Sequence, residues 1–255
     1  AEPPLSSREG LDVMASHAAV WTADDAAGDA KVAYLVDMYD ASIRATDAAL
    51  GDLLRALEQA GLLENSMVIV NSDHGDEFSD RGEFGHAHYN VYPELTFVPL
   101  IIRFPAQMDI SPRRVSVSVQ NLDIAPTVLD VAGIPVPDDF VGASLLPLDE
   151  LESDATRLAY SNIGAYVAIR SLTRTLVYNY GDAADFPEGP LVYDRVADPR
   201  EQHVLSASTD GAASLHARGL QWHDVIRAQE QLRGAQEMEL SDELIKSLRA
   251  LGYLR

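Results

Sequence analysis

An aspartate and a histidine stand side by side where a short apolar run stops: Met67-Val68-Ile69-Val70 leads directly into Asn71-Ser72-Asp73-His74-Gly75. A carboxylate is a hard oxygen donor and an imidazole a borderline nitrogen donor, so Asp73 and His74 together can hold a divalent cation. Gly75 lets the backbone turn sharply beneath them. His86 and His88 lie in the polar loop that follows and can complete or line such a site. The plainer reading makes Asp73 a helix cap and His74 an ordinary loop residue, and three residues alone do not separate the two. Asp76 and Glu77 pose the same choice between touching a metal through water and forming the acidic first turn of a helix, the second being the commoner arrangement.

These residues need rigid elements to position them. Apolar residues from Val32 to Ala60 recur mainly at threes and fours (Val32, Leu35, Val36, Tyr39, Ile43, Leu50, Leu53, Leu54, Leu57), which predicts a helix stopped at Gly61. On it, Asp40, Arg44 and Asp47 have the spacing to pair. After a turn at Asn65-Ser66, Met67 to Val70 reads as a buried parallel strand. In open α/β sheets, ligands collect at the carboxyl ends of strands, and Asp73 and His74 stand at such an end. A loop from Asp76 to Asn90 leads to a second strand-like run, Phe97 to Ile102, with Pro99 near its start. Val115, Val117 and Val119 alternate with serines as an extended segment. Asn121 or Asp123 can then cap a short helix that has Pro126 in its first turn and ends near Gly133 and Pro135.

Beyond Pro147 the pattern changes. Leu158 to Ile163, Tyr166 to Arg170, Thr175 to Tyr180 and Leu191 to Asp194 are short, apolar and separated by turn residues, predicting a small antiparallel sheet. Ser214 to Arg233 and Ser241 to Leu251 read as helices, with Trp222 and His223 as packing and surface residues.

Composition narrows the function classes. The 255 residues carry 19 Lys plus Arg against 40 Asp plus Glu, a net charge of −21. That acidity argues against nucleic acid, whose phosphates require a basic face. With 47% hydrophobic residues the chain is globular in composition. It has no cysteine, hence no disulfide, thiolate metal site or cysteine nucleophile of its own. No apolar run approaches the roughly 18 residues of a membrane span, and no signal-peptide pattern is visible at the start.

Several spaced motifs resemble the carboxy-terminal portion of the sulfatase family within the alkaline-phosphatase-like superfamily. They run in order: Tyr39-Asp-Ala-Ser-Ile with Asp47 and Leu50-Gly51; Met67-Val-Ile-Val-Asn-Ser-Asp-His-Gly-Asp-Glu; Gly85-His86; Tyr92-Pro-Glu-Leu; Val98-Pro-Leu-Ile-Ile; Asp123-Ile-Ala-Pro-Thr-Val-Leu-Asp-Val-Ala-Gly-Ile; and Leu248-Arg-Ala-Leu-Gly-Tyr. The resemblance implies an α/β, alkaline-phosphatase-like sandwich, present here as its C-terminal half. Residues 1–150 would belong to the main α/β domain and 151–255 to a small subdomain of antiparallel sheet and helices.

It also implies chemistry. Asp73 matches the family's carboxylate metal ligand and His74 a position that holds Asn or His. The family's cation is usually calcium, but an imidazole suits manganese or zinc better. His86 matches a Gly-His position that looks like a substrate contact or proton donor beside the sulfate, and His88 is a second candidate contact. Some relatives place a lysine in this loop; the lysines here are Lys31 and Lys246. The Asp123 segment reads as a helix start, and Tyr193 and Asp194, before the Asp198-Pro-Arg-Glu turn, as packing of the appended sheet.

The family's Cys/Ser-x-Pro-x-Arg nucleophile motif is absent, Ser111-Pro112-Arg113 having the wrong spacing. The expectation is therefore the second part of a metal-dependent sulfate-ester hydrolase, inactive alone and accompanied by the missing N-terminal half of the same protein. Its substrate would be a sulfated small molecule or glycan. The alternatives are a phosphodiesterase, phosphonate hydrolase or phosphoglycerol transferase of the same superfamily, and a non-catalytic binding remnant. Compartment stays open, with periplasmic or secreted locations implied by relatives.

Overall fold

The computed structural model describes residues 26–86, 90–181, 189–206 and 211–233. These fall into two compact units, one containing residues 26–86 and 97–110, the other 90–96, 111–181, 189–206 and 211–233.

In the first unit the expected long helix, α1 (Ala26–Gln59), starts before Val32 and ends as its sequence dictates. Gly61 adopts φ +68°, and the Gly61 and Leu62 amides donate to the Glu58 and Leu57 carbonyls, each at 2.9 Å. These bonds satisfy carbonyls that the helix end would otherwise orphan. On this helix Arg55 pairs with Asp52, three residues before it.

Four strands follow: β1 (Val68–Asn71), β2 (Glu77–Phe78), β3 (Phe84–Gly85) and β4 (Leu100–Arg103). β1 pairs antiparallel with β4, from Val68 opposite Arg103 to Asn71 opposite Leu100, and is half-buried. This corrects the expectation of a buried parallel strand. Length and β-branching identify a strand without fixing the direction of its neighbour, and here the neighbour is the run that returns after the histidine loop. The Arg103 guanidinium donates to the Leu63 and Ser66 carbonyls at 2.6 and 3.1 Å, tying the entrance of β1 to the end of β4.

The segment from Asp76 is a second correction. It forms neither a helix nor an open loop but a small antiparallel hairpin, β2 against β3, with Glu77 opposite Gly85 and Phe78 opposite Phe84. The buried Glu77 carboxylate closes its turn by accepting the Arg81 and Glu83 amides at 2.6 and 3.1 Å. On α1, Tyr39 packs edge-on against Phe78, with ring centroids 5.1 Å apart.

In the second unit, β5 (Ala159–Ile163), β6 (Tyr166–Arg170), β7 (Arg174–Asn179) and β8 (Leu191–Asp194) form an antiparallel sheet in sequence order, as expected. The two-residue period sorts its core. Val167, Ile169, Leu176, Tyr178 and Val192 pack with Ala212, Leu215 and Trp222 of a long helix (Ala212–Arg233), while Ala168, Val177 and Tyr193 pack with Val91 on the other face. Trp222 stacks on Tyr160 at 4.8 Å, nearly parallel, and His223 lies against Tyr180.

The predicted short helix (Ile124–Val131) follows a single turn of tighter helix at Asn121–Asp123. Gln120 and Asp123 cap that turn reciprocally. Asp123 is buried, accepts the Ala143 amide at 3.0 Å and pairs with Arg157 at 2.8 Å, a structural role. Val115 to Val119 joins no strand ladder. The predicted helix from Ser241 to Leu251, and the Leu248 motif within it, lie outside the described residues.

Candidate metal and histidine site

Among the described residues, one group of histidine and acidic side chains brings potential metal-ligand atoms within 4.8 Å of one another: His74, Asp76 and His86. All three lie in the first unit, His74 just past β1 and the other two flanking the β2–β3 hairpin. The chain reaches His74 through a tight turn in which Ser72 Oγ donates to the His74 carbonyl at 2.7 Å.

Each imidazole is fixed through Nδ1. His74 Nδ1 lies 2.8 Å from the Gly75 carbonyl oxygen, which only accepts, so Nδ1 carries the proton and the neutral ring keeps its lone pair on Nε2. His86 Nδ1 lies 2.8 Å from Asp76 Oδ1, and an ionised carboxylate imposes the same arrangement. The two rings sit 4.0 Å apart, tilted by 35°. Imidazoles that donate through one nitrogen to a carbonyl or carboxylate and keep the other nitrogen unprotonated have the arrangement of metal-ligating histidines, so the residues present fit a divalent cation. Burial, with the nearby Asp76 carboxylate adding to it, holds the Tyr39 hydroxyl above its ordinary pKa.

The structure thus brings His74 and His86 together, as the sequence suggests, and adds Asp76. Asp73 stands at the rim: its side chain is 68% exposed, Oδ1 accepts the His74 amide at 3.0 Å, and Oδ2 is 3.8 Å from His74 Nε2. No helix follows for Asp73 to cap. His88 lies outside the described residues. The Asp76-Glu77 pair has the composition of a helical first turn, yet no helix forms there. The signal that finds Asp76 is antiparallel register: the Glu77–Gly85 pair makes Asp76 and His86 the next residues opposite one another.

The chain is similar to known proteins in both sequence and fold. A family model described as sulfatase matches residues 11–134, and one described as N-sulphoglucosamine sulphohydrolase, C-terminal, matches residues 82–217. An N-acetylglucosamine-6-O-sulfatase of Bacteroides thetaiotaomicron is 34% identical over 187 residues, covering 68% of this chain and 32% of that protein. Human arylsulfatase K is 40% identical over 110 residues, covering 43% of this chain and 20% of that protein. The chain therefore spans at most about a third of these relatives' length.

Among solved structures, one determined in complex with its substrate D-glucosamine-2-N,6-O-disulfate matches with a TM-score of 0.64 at 29% identity, covering 85% of this chain and 45% of that one. A phosphonate monoester hydrolase of Agrobacterium radiobacter matches with a TM-score of 0.60 at 26% identity, covering 78% of this chain and 42% of that one. The fold is the alkaline-phosphatase-like fold shared by these hydrolases. With a family model covering more than half of its residues and named sulfatases among its relatives, the chain belongs to the sulfatase family.

Proposed function

We propose that this chain supplies the cation-holding and histidine part of a hydrolase of sulfate esters, acting on a sulfated sugar. The observation that carries the reading is the convergence of His74, Asp76 and His86 at the carboxyl end of β1, in a chain of the sulfatase family. That family generally uses a divalent metal. In this reading Asp73 and His74 hold the cation, calcium by family resemblance, with manganese or zinc favoured by the imidazole. When bound, such an ion stabilises negative charge on the ester oxygens. His86, held through Nδ1, keeps Nε2 to contact a sulfate oxygen or carry a proton at the leaving group, and the sequence pattern assigns His88 a second substrate contact. The sequence has no cysteine and no Cys/Ser-x-Pro-x-Arg motif, so no nucleophile is assigned to this chain, and we expect it to be inactive alone. The sugar is argued from the named substrates of the relatives, an N-acetylglucosamine 6-sulfate and a disulfated glucosamine.

The likeness to a phosphonate monoester hydrolase supports a second reading, in which the ester is a phosphonate. Competition separates the two. With a divalent cation present, N-acetylglucosamine 6-sulfate is expected to bind more tightly than a phenyl phosphonate monoester, followed by ligand-observed NMR. The reverse order favours the phosphonate.

A further inference from the structure

We infer that Asp76 is a positioning residue for His86, its carboxylate accepting the hydrogen bond from Nδ1–H and so leaving Nε2 as the ring atom that meets substrate. The inference deepens the proposed function and rests on it for the word substrate, but the geometry is independent of it. Asp76 Oδ1 is 2.8 Å from His86 Nδ1, and the Asp76 side chain is only 15% exposed against 35% for His86.

The contact is built into the backbone. Phe78 faces Phe84 and Glu77 faces Gly85, so the next step of the same antiparallel ladder sets Asp76 against His86. A buried carboxylate, that of Glu77, pins the turn at the far end of this hairpin through the Arg81 and Glu83 amides. Tyr39 of α1 packs edge-on against Phe78 of the same hairpin. A charge-assisted bond at this length, between residues whose spacing is fixed by strand pairing, restrains both rotation of the imidazole and its choice of tautomer. His74 needs no such partner, because the adjacent Gly75 carbonyl restrains its ring. Asp76 therefore does for His86 what a backbone carbonyl does for His74.

The test uses Asp76→Asn and His86→Ala, singly and together, in the full chain, each checked for an unchanged urea midpoint. Imidazole 15N NMR of the ligand-free protein reads the tautomer directly. The wild type is expected to show His86 protonated at Nδ1, and Asp76→Asn to show a mixture or the Nε2 form. A wild-type His86 protonated at Nε2, or an Asp76→Asn protein with an unaltered His86 spectrum, overturns the inference. This arm needs no substrate, so it decides the positioning role even if sulfate esters do not bind and the functional reading fails.

The second arm measures affinity for N-acetylglucosamine 6-sulfate with Mn2+ present. Asp76→Asn is expected to weaken it about 10-fold and to cost nothing further once His86 is alanine. Additive losses, or weakened Mn2+ binding by Asp76→Asn in the His86→Ala background, would instead make Asp76 a ligand in its own right and overturn the inference.

Discussion

Asp76 and His86 face one another across a two-rung hairpin, one step beyond the Glu77–Gly85 pair, with Asp76 Oδ1 2.8 Å from His86 Nδ1. What holds that register is the Glu77 carboxylate, which is fully buried and accepts two turn amides. Glu77→Ala leaves both donors unpaired in a closed turn and is expected to destabilise the protein by about 1–3 kcal/mol, read from urea unfolding. It should also speed amide exchange at Arg81 and Glu83. Unchanged exchange there would show that the turn does not depend on this side chain.

Buried charge has a second location, in the sheet unit. Arg170 and Glu201, both almost fully buried, pair at 3.2 Å, while Arg170 also donates to the Val91 carbonyl at 2.6 Å and Thr175 Oγ1 donates to Glu201 at 2.5 Å. Glu201 belongs to the Asp198-Pro-Arg-Glu turn, which here places a structural anion beneath the sheet. Glu201→Ala strands the guanidinium and is expected to cost about 3–5 kcal/mol in chemical denaturation. Replacing both partners by apolar residues, Arg170→Met with Glu201→Leu, should cost less than the single change.

Two glycines are expected to respond differently to the same methyl group. A Cβ at Gly142 would fall 1.9 Å from the Leu122 carbonyl oxygen, whereas one at Gly219 would fall 2.0 Å from Ile169 Cδ1, the end of a side chain that can turn aside. Gly219→Ala also gains helix propensity of about 1 kcal/mol against an overpacking cost of about 1–3 kcal/mol. Thermal melting should therefore show a small loss for Gly219→Ala and a clearly larger one for Gly142→Ala.

The sequence states some parts of this structure openly and conceals others for identifiable reasons. Tyr166 to Arg170 and Leu191 to Asp194 are predicted to the residue, because apolar and β-branched runs bounded by turn residues leave few alternatives to an antiparallel ladder. The stop of α1 is equally legible, since Gly61 supplies the positive φ that the cap requires. The β2–β3 hairpin is not. Two-residue strands have no periodicity to detect, and the Asp76-Glu77 pair that opens it has the composition of a helical first turn. His74 and His86 are legible in the sequence, because a histidine beside an aspartate or a glycine in a polar loop offers donor atoms whatever the fold. Asp76 needed the register, which only the folded hairpin reveals.

Tyr178 gives a pH test of the packing between the sheet and the long helix. Its buried hydroxyl has no hydrogen-bond partner among the described residues, and burial, aided by Tyr180, Tyr160 and Asp224, pushes its pKa up from 10.0 to about 12. The unfolded chain gives up this proton first. The stabilisation from the neutral folded form is therefore complete below about pH 10 and is lost as pH rises towards about 12. Urea midpoints should fall over that window, and less steeply in Tyr178→Phe. At pH 7 the same variant should be neutral or slightly stabilised, since it removes an unpaired buried hydroxyl.

The most direct test of a cation-dependent sulfate-ester site beside β1 is calorimetric titration of N-acetylglucosamine 6-sulfate into the chain, with and without a divalent cation. The expected result is saturable 1:1 binding that requires the cation, is abolished by His74→Ala, and is not reproduced by unsulfated N-acetylglucosamine. Binding that survives both cation removal and His74→Ala, or that ignores the sulfate, would contradict the account.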